Sequence, residues 1–116
     1  MTEIDKKALG YLGFAARARS LTIGVPLTLD AMKKGGGGKA PIVVIEAADT
    51  SANTHKRVGD RVLYYGVFHR QLEVTGEELA VAIGKRGSTV GAVGVTDPHL
   101  AAALMALWQA QEEKRD

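Results

Sequence analysis

The sequence contains no cysteine, which excludes disulfides, thiolate chemistry and any zinc site built on sulfur. Its three histidines, His55, His69 and His99, stand apart without ligand spacing, so no metal and no other cofactor is expected. No apolar run approaches the roughly 20 residues that a membrane span requires. The amino terminus, MTEIDKK, is acidic and polar and leads into no signal-type core, so secretion is not indicated and a cytoplasmic location is expected. Length is short as well: 116 residues make one domain, 1–116, with no room for a second. A strong charge of one sign is also missing, since the formal net charge is +2. That small excess is uneven, however. Residues 1–57 hold nine Lys/Arg against five Asp/Glu, whereas residues 58–116 hold six against eight, so a polyanionic partner is expected on the side built by the first half.

What the chain does have is a short β-branched run that meets Gly24 and then turns helical, in SLTIGVPLTLDAMKK at residues 20–34. Pro26 suits the first helical turn, where its missing N–H costs no bond and its φ is already helical. Leu27, Leu29, Ala31 and Met32 predict an apolar side, and Thr28, Asp30 and Lys33 a polar one. The start of such a helix points free N–H groups and a partial positive charge outward, which suits phosphate. An ordinary strand-to-helix junction is the other reading of the same residues.

Taken in order, Thr2 with Asp5 forms a capping box for a first helix from about Glu3 to Ala18, with Ile4, Ala8, Leu9, Leu12 and Ala16 as its stripe. Gly10 and Gly13 within it suggest close approach of another element. The GGGGKA segment after Lys34 reads as a helix stop and connector. PIVVIE, residues 41–46, carries a continuous apolar run of strand length, hence a central strand buried on both faces. Asp49, Thr50 and Ser51 offer caps for a third helix whose stripe is Val58, Val62, Leu63 and Tyr65 and whose outer side carries His55, Lys56, Arg57 and Arg61. VFHR at 67–70 reads as a strand. Thr75 with Glu78 caps a fourth helix ended by Gly84, residues 90–96 form a strand, and Asp97 with Pro98 starts a last helix before a frayed tail at about 112–116. Gly91 and Gly94 in the last strand suggest a helix packed close above it. The alternation of strands and helices predicts a single-domain three-layer α/β/α sandwich with a central mixed sheet of about four strands and about five helices.

Two motifs tempt and fail. GGGGKA lacks the first glycine of a phosphate loop, where Lys33 stands, and the hydroxyl after its lysine, where Ala40 stands. IGKRGSTV at 83–90 has the letters of a KH signature, but the strand pattern that follows replaces the helix which that geometry needs. A glycine-flanked turn carrying Lys85 and Arg86 can nonetheless touch phosphate in any fold. Asp49, Thr50 and Ser51 have no paired base, nucleophile or metal set beside them, so no enzyme is expected.

Over about residues 7–107 the chain resembles the L-seven-Ae/L-thirty-e ribosomal protein family, particularly its short bacterial members. The likeness is carried by LGFAARAR at 12–19, the strand–Gly24–helix junction, IEAADTSANTHKR at 45–57, EELAVAIGK at 77–85 and VGVTD at 93–97. It implies an α/β/α sandwich that binds structured RNA, most often kink-turns, within the translation machinery and without catalysis. The implied partner is ribosomal RNA, with association with the ribosome, no membrane, and a monomeric or weakly dimeric state. In kink-turn binders an Asn, a Glu and a Lys after the junction glycine read the RNA; here Pro26, Leu27 and Asp30 hold those positions. The contact set the resemblance implies for this chain is Arg17, Arg19, Gly24, Val25, Thr28, Lys33, Lys34, Asp49, Lys85, Arg86, Gly87 and Ser88, recognising backbone and shape more than bases. The alternative is a protein-interaction module of the same fold, similar to growth-arrest members of the family, with Val25 and Leu27 as an apolar patch.

Overall fold

Each helix start marked by a capping residue in the sequence is a formed cap in the computed structural model, which describes residues 1–36 and 39–113. Helix α1 (Glu3–Arg17) opens on reciprocal bonds: Asp5 N–H donates to Thr2 Oγ1 at 3.0 Å, and Thr2 N–H to the Asp5 carboxylate at 2.9 Å. Arg19, with φ of 56°, turns the chain into strand β1 (Leu21–Ile23), and Gly24 turns it again into α2 (Val25–Lys34). Strand β2 (Val43–Glu46) leads to α3 (Ala52–Tyr65), capped by Ser51 and closed by left-handed Gly66. Strand β3 (Phe68–Gln71) precedes α4 (Gly76–Ala82), whose capping box is Thr75 with Glu78, and β4 (Ala92–Val95) precedes α5 (Pro98–Glu113). There Leu100 N–H donates to Asp97 at 2.8 Å.

The described residues thus give five helices and four strands, in sheet order β1–β4–β2–β3. Strand β4 runs antiparallel to both neighbours, β1 and β2, while β2 and β3 are parallel and are joined through α3. The alternation of β2 divides the core. Val43 and Ile45 face α1, α4 and α5 and join Leu12, Leu79 and Leu104; Val44 faces α2 and α3 and joins Leu29, Met32, Val58 and Val62. Burial of each large side chain contributes about 1.5–3 kcal/mol, which is why a strand of four residues organises both layers. The three-layer sandwich and mixed sheet are those expected from the sequence. Among the described residues no helix is long and apolar enough to cross a membrane.

Several local expectations need correcting. Leu63, 83% exposed, and Tyr65 face outward on α3, because Val58 and Val62 alone fill its buried stripe. The outward side of α2 carries Leu27, and Thr28 turns inward. Gly13 does admit a neighbour, with Ala82 O 3.1 Å from where a Cβ would stand, whereas nothing lies within 4 Å of that position at Gly10. At Gly94 the close neighbours are Thr22 and Pro41, a strand residue and a loop residue, not a helix. Helix α5 continues through Glu113, past the start of the expected frayed tail; residues 114–116 and residues 37–38 of the glycine run lie outside the described residues.

A Cβ at Gly94 would stand 2.5 Å from Thr22 Oγ1 and 2.7 Å from Pro41 Cβ. Gly94→Ala should therefore lower stability by about 2 kcal/mol, read from the urea midpoint at unchanged m; an unshifted midpoint would show that β1 and Pro41 yield freely.

Candidate nucleic-acid interface

Strands β1, β2 and β3 point the same way and β4 points back, so the ends of the first three and the start of the fourth share one edge of the sheet. Hydrogen bonds stitch the loops there together. Gly24 N–H donates to Ala92 O at 2.9 Å, Ala47 N–H to Gly91 O at 2.8 Å, Ala48 N–H to Val74 O at 2.8 Å and Val90 N–H to Gly76 O at 3.0 Å. The position a Cβ would take at Gly91 is 3.1 Å from Val25 Cγ2 and 3.2 Å from Thr50 Cγ2, so the α2 start, the β2–α3 loop and the segment before β4 meet at one point.

Gly24 sets the direction of α2. Its φ of 97° and ψ of 154° lie in a region open essentially to glycine alone. With no side chain to cap the helix, Pro26 lacking an N–H, and no acidic residue in the first turn, the positive end of α2 is left bare. Nearby, Gly84 and Gly87, with φ of 80° and 90°, shape the turn carrying Lys85, Arg86 and Ser88, all exposed. Ser88 N–H closes it onto Lys85 O at 3.0 Å. Arg19 and Lys85 line one hollow of about 360 Å³ with Leu21, Ile23 and Ile83. Arg17 lines the adjoining hollow between α1 and the end of α4, its guanidinium 4.7 Å over the Phe14 ring.

The structure does not bring the whole expected set to this edge. Thr28 is 1% exposed and its hydroxyl lies 2.9 Å from that of Thr22, so it ties α2 to β1 and has no surface for a ligand. Lys33 and Lys34 sit at the far end of α2, about 14 Å up the helix axis from Gly24. Lys34 is also paired with Asp30 at 3.0 Å, so the acid standing where the resemblance implies a lysine has a cation beside it. Asp49 accepts the N–H of Gly76 at 2.8 Å, so it fastens the β2–α3 loop to the start of α4.

The feature least legible in the sequence lies directly beneath that loop. Glu46, the last residue of β2, is fully buried, and its carboxylate accepts from Thr50 Oγ1, lies 2.9 Å from His69 Nε2 and 2.9–3.0 Å from His55 Nδ1. His55 stays on the exposed side of α3, as the helical pattern put it, with its side chain 49% exposed while Nδ1 reaches inward to Glu46. A charged residue closing a strand covered on both faces is the available signal; its partners depend on the β2–β3 register, which pairs His69 with Val44, and on the pitch of α3. The described residues contain no group of three or more metal-ligating side chains placed to hold an ion.

The fold and this edge place the chain in a class of small α/β/α proteins that includes nucleic-acid binders. No family model matches the sequence. It is 34% identical over 96 residues to the RNA-binding protein YlxQ of Bacillus subtilis, covering 83% of this chain and 89% of that one. The chain therefore belongs to the YlxQ family. A Bacillus halodurans protein of unknown function superposes with a TM-score of 0.76 at 31% identity, covering 87% of this chain and 95% of its own. The 15.5kD RNA binding protein of Giardia lamblia shares the fold, with a TM-score of 0.73 at 15% identity over 92% of each chain.

Gly24→Ala should cost about 1–3 kcal/mol, because alanine cannot hold that φ and ψ without strain; a thermal midpoint equal to that of the parent protein would contradict this. Glu46→Leu removes the shared acceptor of Thr50, His55 and His69, and should destabilise by about 2 kcal/mol in chemical denaturation. Retention of full stability would show that the cluster holds nothing together.

Proposed function

We propose that this protein is a non-catalytic binder of structured RNA that engages its ligand with the edge formed by the Gly24 helix start, the Ala47–Ser51 loop and the Lys85–Ser88 turn. The observation that carries the reading is twofold: the α2 start and the β2–α3 loop meet at Gly91, and Lys85 of the basic turn lines one hollow with Ile23, the residue before Gly24, which supports a single surface of bare helix N-terminus and basic turn. The similarity to YlxQ, an RNA-binding protein, supports it. Gly24, Val25, Lys85, Arg86, Gly87 and Ser88 are the contact residues in this reading, with Arg19 and Arg17 extending the surface along the α1–α4 side. Asp49 serves by positioning its loop. Ribosomal RNA is the ligand class we favour.

The manner of recognition follows from Pro26 and Leu27. Neither side chain offers a hydrogen bond to a base edge, and each lost specific contact costs about 1–3 kcal/mol of discrimination. Backbone N–H groups and cations remain, and these read phosphate position and helical shape. Because Asp30 is paired with Lys34, it adds little repulsion. We therefore place the protein among shape readers of folded RNA, kink-turns included, with weakened choice of sequence. His55 and His69 both turn a ring nitrogen to Glu46 and take no catalytic part here.

Filter binding to structured ribosomal RNA fragments at low salt should give a complex, and Lys85→Ala/Arg86→Ala should lower the slope of log K against log salt by about two while leaving the fold intact. No complex, or one indifferent to the double change, ends the assignment. A dimer that forms equally with and without RNA in sedimentation would favour the protein-interaction reading, for which Leu27, 54% exposed, is the specific support.

A further inference from the structure

Strand β1 is the outer strand of the sheet, and one side of it is unpaired. Its bonds to β4 fall at alternate residues, since Thr96 N–H donates to Ser20 O at 3.0 Å and Gly24 N–H to Ala92 O at 2.9 Å, with Thr22 opposite Gly94 between them. By the antiparallel pattern, the N–H and C=O of Leu21 and of Ile23 point away from β4. Among the described residues, no hydrogen bond reaches these groups. Each face of this edge has its own hollow of about 360 Å³. On the α1–α4 side, Leu21, Ile23 and Ile83 form an apolar floor flanked by Arg19 and Lys85. On the α2 side, Thr22, Leu27 and Ala31 line the other, where Asp30 and Lys34 pair with one another and Lys39 stands at the rim.

We propose that β1 is a docking edge for an extended peptide segment of alternating acidic and apolar residues, which adds to the sheet as a fifth strand. Residues of the segment opposite Leu21 and Ile23 share their face and meet Arg19 and Lys85, which selects carboxylates with an aliphatic stem. The residue opposite Thr22 lies on the other face beside Leu27, which selects an apolar side chain. Leu21 and Ile23 each supply one donor and one acceptor to the added strand. A second copy of this chain is the poorer occupant, because antiparallel pairing of two β1 strands gathers both copies' Arg19 and Lys85 at one seam. The inference does not rest on the RNA reading, although Arg19 and Lys85 border both surfaces.

The test is amide hydrogen exchange and two-dimensional NMR on the full chain with a synthetic Glu-Val-Glu-Val-Glu peptide flanked by Gly-Ser, its Lys-for-Glu counterpart, and a structured RNA fragment. The Leu21 and Ile23 amides should exchange quickly alone and at least about tenfold more slowly with saturating acidic peptide. Leu27→Asp, a change at an exposed site, should weaken that binding by about tenfold while the spectrum stays folded. The proposal is overturned by equal binding of the lysine peptide, by shifts confined to Lys85 and Arg86, by protection of these amides by RNA instead, or by self-association that protects them without any ligand.

Discussion

A carboxylate carried into a protein interior must find donors or lose its charge, and here that requirement falls on the last residue of the one strand covered on both faces. Glu46 meets it with a hydroxyl from the loop that follows, an imidazole from the first turns of α3 and another from β3. Three separate pieces of chain are thereby held against the end of β2. The loop that leaves β2 is part of the outer edge, so the order of that edge descends from the buried carboxyl group beneath it.

A different device holds the other half of the edge. Helix α2 is aimed by backbone conformation at Gly24 and moored by the Thr22–Thr28 hydroxyl contact, so no acidic or amide side chain is needed at its start. That leaves its first turn electrically unopposed. Two glycines, one in β4 and one just before it, complete the arrangement: Gly94 admits Thr22 and Pro41, and Gly91 admits Val25 and Thr50. Side chains absent at these two positions are what allow β1, α2 and the β2–α3 loop to close over β4 and the residue that leads into it.

Much of this was legible beforehand, for definite reasons. Caps are local, so Thr2, Ser51, Thr75 and Asp97 announced helix starts that the structure reproduces, and PIVVIE announced double burial through its unbroken apolar run. Facing was harder. A ten-residue helix such as α2 mixes Leu27 with Leu29 and Thr28 with Asp30, and a side-chain hydroxyl that finds a partner inside is as well placed there as a leucine, so which row turned inward depended on Thr22 across the gap. Lys33 and Lys34 looked close to Gly24 in the sequence and are separated from it by the length of the helix. The Glu46 cluster needed strand register, which the pattern of residues does not encode. Asp49 was legible as a cap but not as a partner of Gly76, a residue 27 positions away.

The single tryptophan has a consequence for anyone following this protein in solution. Trp108 lies 5.9 Å from the Phe68 ring, and Arg70 reaches over both, with its guanidinium 4.3 Å and 5.7 Å from the two centroids. The lone indole therefore sits where α5 meets β3, beneath a cation, at the opposite side of the sheet from β1. Its emission reports the seating of that helix on that strand, and so separates loosening of the scaffold from events at the ligand-facing loops without any added label.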